Sequence, residues 1–206
     1  MVLLRKSIPQ NHNLKTAAEL GVMHTLGDIM NYIRFLFLVL MLTSCVSIAP
    51  STTEKATSKI TIEHDSFKNQ TWIKTPLYLS RQGFTDTFPV QLSLRALYKA
   101  EKLSFIQLYV TSSNVTWGFY NSANGEDGMP LGFTKIDGVV DSYAGIVTAE
   151  EHFGLEIPYG YLLKMSEKDW SIKVYGKRNE GVFILPKTIT QSFVEKIKCF
   201  EEKKCM

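Results

Sequence analysis

Read for the alternation of apolar and polar positions, the chain is mainly strand from Ile60 onward. "ITIEH" (60–64) and "TWIKT" (71–75) alternate and carry β-branched residues. "VQLSLRALYKA" (90–100) puts Leu92, Leu94, Ala96 and Tyr98 on one face and Gln91, Ser93, Arg95 and Lys99 mostly on the other, the pattern of a long half-buried strand. "SFIQLYVTS" (104–112) follows across the charged link Glu101-Lys102, so the two read as an antiparallel hairpin, with "TWGFY" (116–120) as a third strand of that meander. "NSANGEDGMP" (121–130) is turn chemistry throughout. "GFTKIDGVVDS" (132–142) and "AGIVT" (144–148) read as further strands, and "WSIKVYG" (170–176) with "EGVFILP" (180–186) as a hairpin around Lys177-Arg178-Asn179.

The period changes in two places. "PYGYLLKMSEK" (158–168) allows one short helix with Pro158 at its first turn. Between Thr188 and Glu201, the residues Ile189, Phe193, Val194, Ile197 and Phe200 share a face at helical spacing, and Thr188 is a candidate cap. Many strands in hairpin order followed by a terminal helix predict a mainly β, α+β fold. The expected architecture is an antiparallel β-sandwich or half-barrel with a C-terminal amphipathic helix packed on it.

One apolar pattern belongs to neither period. Phe35 to Leu42 are eight consecutive apolar residues directly after Arg34. A membrane-spanning helix needs roughly 20 apolar residues, and Thr43, Ser44 and Ser47 interrupt this run too early. A basic flank, a short apolar core and small residues form a secretory signal. The run ends on Leu42-Thr43-Ser44-Cys45, which resembles the lipobox of bacterial lipoprotein precursors. The resemblance implies that Cys45 Sγ receives a diacylglycerol thioether, that the chain is cut between Ser44 and Cys45, and that the new amino group is acylated. Residues 1–44 are then a signal peptide, with translation starting in effect at Met30 or Met23. Val46 is not aspartate, which by the family's sorting rule implies transfer to the outer membrane, facing the periplasm. The bilayer, reached through acylated Cys45, becomes the first partner. The hairpin and helix at the C-terminal end also resemble, weakly, small uncharacterised bacterial envelope proteins, which implies no activity.

Composition fits this reading. "VSIAPSTTEKATSK" (46–59) is rich in Ser, Thr, Ala and Lys and reads as a tether following the lipidated cysteine, so 45–59 is linker and 60–206 a single β-rich domain. After Cys45 there are nineteen Lys/Arg against eighteen Asp/Glu, a balance that gives no electrostatic case for nucleic acid. If lipid consumes Cys45, Cys199 and Cys205 remain as a possible disulfide in an oxidising compartment. Six positions apart on one continuous helix they could not meet, so the helix is expected to stop near Glu201 and the tail to fold back.

Chemistry is sparse. His64 sits between Glu63 and Asp65, but neighbours on a strand face opposite ways, so a triad cannot form there and a surface strand end is expected. "AEEHFGLE" (149–156) gathers Glu150, Glu151 and His152, which could serve a periplasmic hydrolase or a metal-dependent enzyme; without the His-Glu-x-x-His spacing the stretch reads as a solvated loop. "NGEDG" (124–128) lacks the alternation of a calcium loop and reads as a hairpin turn. No motif implies a cofactor or a metal. The remaining candidate is aromatic: Trp72, Trp117 and Tyr120 could form a platform for an envelope glycan or protein, although at strand spacing such rings also serve as cross-strand pairs. The sequence reading is therefore a membrane-anchored binding or assembly module.

Overall fold

Ala100 and Glu101 both adopt left-handed backbone, with φ of 48° and 63°, the turn geometry that matches strand twist. They join β4 (Val90–Lys99) to β5 (Lys102–Asn114), the hairpin at the centre of the sheet. The computed structural model describes residues 48–80, 90–143 and 145–204, all within one unit, Val46–Met206. The other strands are β1 (Thr61–Asp65), β2 (Gln70–Lys74), β3 (Tyr78–Leu79), β6 (Tyr120–Gly125), β7 (Pro130–Tyr143), β8 (Ile146–Glu156), β9 (Trp170–Gly176) and β10 (Glu180–Leu185). All pairings are antiparallel, in the order β1-β2-β4-β5-β8-β7-β6-β9-β10, with β3 beside β4. The sheet curls into a half-barrel. Ser80, just past β3, links the curl to its far edge: its Oγ accepts from Ile184 N at 3.0 Å and donates to Ile184 O at 3.4 Å.

The inner face holds the core. Leu92, Leu94 and Ala96 of β4, Ile106, Leu108 and Val110 of β5, and Phe153 and Leu155 of β8 are buried there. Helix α3 (Lys187–Glu201) adds Ile189, Phe193, Val194 and Ile197 to the same cluster, as its period predicts. Phe200 meets Tyr98 edge-on with ring centroids 4.9 Å apart. Helix α2 (Tyr159–Met165) starts directly after Pro158 and contributes Tyr161, Leu162 and Met165. The second hairpin is β9–β10, as expected.

Several expectations are corrected. The stretch read as a tether is docked from Ala49 on. It forms a short helix, α1 (Thr53–Thr57), capped by Thr52, with Ala56 and Ile60 buried, Thr53 Oγ1 bonded to Gln191 and the Pro50 carbonyl bonded to Thr188. A single small buried residue per turn suffices there, and composition does not register it. "TWGFY" is not a third strand. Phe119 is left-handed at φ 53°, and the amides of residues 118–120 bond a side chain instead of a neighbouring strand; only Tyr120 opens β6. Within "NSANGEDGMP" only Glu126–Met129 turns, because Ala123 is buried and residues 120–125 pair with β9. Residues 149–156 are not a loop but the second half of β8. Thr188 lies inside α3, whose N-cap is Pro186.

The end of α3 is a Schellman motif. Lys203 is left-handed at φ 56°, Lys204 N bonds Cys199 O at 3.0 Å, and Lys203 N bonds Phe200 O at 3.0 Å. The helix thus stops at Glu201 and the chain turns back beside Cys199. Cys199 is disulfide-bonded. Its partner, like Cys45, Cys205 and the segment 1–44 read from the sequence as a signal peptide, lies outside the described residues.

Candidate functional site

Strand alternation separates the residues that the sequence placed side by side. Opposed residues of an antiparallel pair share a face. Val90, Ser112, Glu151 and Gly138 therefore point inward, while Arg95, Gln107, Tyr109, His152 and Glu150 point outward. Glu151 is buried at 4% exposure. Its Oε2 accepts from Gly118 N at 2.6 Å and Phe119 N at 3.2 Å, and its Oε1 from Tyr120 N at 3.3 Å. It anchors the loop between β5 and β6. Glu150 and His152 lie on the other side of the sheet, so the three residues of the hydrolase or metal alternative do not converge. Among the described residues, no three His, Cys, Asp or Glu side chains are grouped to hold a metal.

The proposed aromatic platform is likewise divided. Tyr120 is buried against Phe153, with centroids 5.4 Å apart. Trp117 lies over Gly138 on the inner side, where a Cβ would approach its ring to 2.8 Å. Trp72 alone faces outward, opposite Leu97 of β4. There it heads a diagonal stripe of flat side chains that the sequence did not reveal. The Arg95 guanidinium lies 5.6 Å from the Trp72 ring centre and 4.7 Å from that of Tyr109. Tyr109 Oη lies 2.5 Å from His152 Nδ1. His152 Nε2 lies 2.6 Å from Glu150 Oε1, off the donor axis of the ring, and Glu150 Oε2 accepts from Ser113 Oγ at 3.1 Å. Phe105 meets Trp72 edge-on at 5.8 Å. Beneath the stripe, Gln107 is buried in the space left by Gly154, where a Cβ would come within 2.1 Å of the Gln107 amide carbon. Gln107 Oε1 accepts from Arg95 Nε at 2.9 Å and Nη2 at 2.5 Å. Burial pushes the Arg95 guanidinium below its ordinary value, with Tyr109 opposing the shift. The three helices among the described residues put their apolar residues into the inner core, which leaves the outer face of β2, β4, β5 and β8 to these side chains.

A cleft of about 740 Å³ opens at the far end of the fold, lined by Ile62, His64, Tyr98, Phe200 and Glu201 among others. Most of its polar side chains are paired with one another. Tyr98 Oη donates to Glu201 Oε1 at 2.9 Å, and burial followed by that carboxylate raises the phenol above its usual value. His64 is at an exposed strand end with Nδ1 3.0 Å from Thr71 Oγ1, as the sequence led us to expect.

No family model, curated protein or solved structure matches the chain. The fold itself defines the class: a mainly β, antiparallel half-barrel with a C-terminal helix. No helix among the described residues is long and apolar enough to cross a membrane.

Proposed function

We propose that the protein is a bacterial envelope lipoprotein, held by a diacylglyceryl-modified Cys45 in the outer membrane on its periplasmic side, and that it acts as a binding module for an envelope glycan. The observation that carries the binding reading is the outer sheet face, where Trp72, Arg95, Tyr109 and His152 form a continuous flat stripe with no helix of the described residues over it. Rings flanked by polar groups suit sugars, whose apolar faces stack while their hydroxyls hydrogen-bond. Two features support the anchor reading. The apolar run ends on a lipobox-like sequence, and Ala49, four residues beyond Cys45, already packs against the core. Four extended residues reach about 14 Å, so the lipid would hold the domain close to the bilayer. The backward turn at Lys203 favours a Cys199–Cys205 bond, which requires the tail to fold back.

The test has two arms on the full-length chain expressed in a bacterial host. Labelled palmitate should enter the wild type, while Cys45→Ser should take up none and persist as unprocessed precursor. Equal processing without label in both would refute the anchor. Wild type should co-sediment with purified insoluble envelope glycan, and Trp72→Ala, checked for an unchanged melting temperature, should not. Equal sedimentation, or none in either, would refute binding by this face.

A further inference from the structure

We propose that Arg95 anchors a carboxylate-bearing sugar on the outer face, so that the ligand of this site is an acidic glycan. The inference rests on the glycan-binding reading above and names its chemistry. Lys74, Lys164, Lys168 and Lys173 each have a carboxylate within ion-pair distance: Glu63, Asp127, Glu126 and Glu180. Arg95 is half-buried, yet among the described residues it has none. Its acceptor is the neutral Gln107 Oε1, which takes Nε and one Nη2 proton. A guanidinium has five N–H donors. Three remain, and Nη1 bonds nothing within the chain without being a buried orphan, so it opens to solvent. A half-buried cation held in a fixed plane between two rings and left without its counter-charge is prepared for a planar oxyanion. A carboxylate matches that fork with two parallel hydrogen bonds.

The surroundings select a sugar acid over an acidic peptide. Central strands have no free backbone groups, so a peptide cannot add here as a strand and recognition falls to side chains. Glu156 is exposed and lies two strands from Arg95 in the same register row, through Gln107, about 10 Å across the sheet. Its charge repels a second carboxylate, while its oxygens can accept from hydroxyls. One carboxylate over Arg95 and hydroxyls toward Glu156 describe a short oligosaccharide with a single uronic acid. The Trp72 and Tyr109 rings supply stacking beside the charge.

The test is calorimetric titration of the full-length protein in detergent with three probes: a glucuronate-terminated disaccharide, its methyl ester, and a glutamate-containing tripeptide. The acid should bind, the ester should bind at least about tenfold more weakly, and the peptide should not compete; a charge-assisted hydrogen bond contributes a factor of this size. Arg95→Lys keeps the charge but loses the fork and should weaken the acid about tenfold, with the ester unchanged. Equal affinity for acid and ester, tighter binding of the peptide, or an Arg95→Lys protein that binds the acid like the wild type would overturn the proposal. If the wild type still sediments with envelope glycan in those cases, the glycan reading stands and only the role of Arg95 falls. If neither sedimentation nor titration shows binding, both fall.

Discussion

Glu151 is the most consequential buried charge on the inner face, and its replacement tests how the loop carrying Trp117 is held. Removing a buried carboxylate often relieves a desolvation penalty and proves neutral. Here it cannot, because the partners are backbone amides that stay behind whatever occupies position 151. The bonds from Gly118 and Tyr120 are buried, and that from Phe119 is partly so. A hydrogen bond to a charged group contributes about 1.5–3 kcal/mol, and a buried donor left without a partner costs about 1–3 kcal/mol. Glu151→Gln keeps the shape. Its oxygen can still accept from Gly118 and Phe119, but its NH2 group then faces the Tyr120 N–H. Losing the charge on two bonds and the whole of the third should destabilise the protein by about 2–4 kcal/mol. For a chain of this size that corresponds to a fall in Tm of roughly 5–15 °C. Glu151→Ala should do at least as much harm. Urea unfolding followed by tryptophan fluorescence reads the effect. A Glu151→Gln protein within about 0.5 kcal/mol of wild type would refute the claim that this carboxylate holds the loop.

Two further outcomes are expected. Phe193 is fully buried in the core, so Phe193→Ala should cost about 3–5 kcal/mol in chemical denaturation, whereas Lys196→Ala should change stability by less than about 0.5 kcal/mol; similar small effects would mean that α3 is not docked as described. Asp127, in the turn between β6 and β7, is held below the usual carboxylate range by Lys164, then by Tyr161, whose hydroxyl donates at 2.7 Å. A lowered pKa gives stability that is present above the unfolded value near 3.9 and lost as pH falls through the folded one. The gap between wild type and Asp127→Asn in urea midpoints should therefore be constant above about pH 5 and close in strong acid, and a gap that widens in acid would contradict it.

The sequence by itself determined the elements whose side chains follow a period. "VQLSLRALYKA" and the segment from Thr188 onward each bury one face against a core, and the pattern of Leu92, Leu94 and Ala96 or of Phe193 and Ile197 records that burial directly. Pro158 and the clustered charges after Phe200 marked helix ends because they act locally, on the residues beside them. Glu151 was also legible in principle: Ala149, Phe153, Leu155 and Ile157 are all buried, so a charge in that alternating row signals a buried carboxylate. The neighbouring Glu150 and His152 masked the row and made a strand resemble a loop. Other features depended on which strands lie side by side, and this only the tertiary structure decided. Arg95 reads as a solvent-facing residue until β2 and β5 place Trp72 and Tyr109 on either side of it. Trp72 and Trp117 look equivalent in sequence, yet the curl of the sheet sends them to opposite faces. The amides of residues 118–120 were free for a ladder until Glu151, more than thirty positions away, took them. Local periodicity encodes burial, because burial acts on every residue of an element. A cluster drawn from four strands leaves no period, because its members share only a place on the sheet.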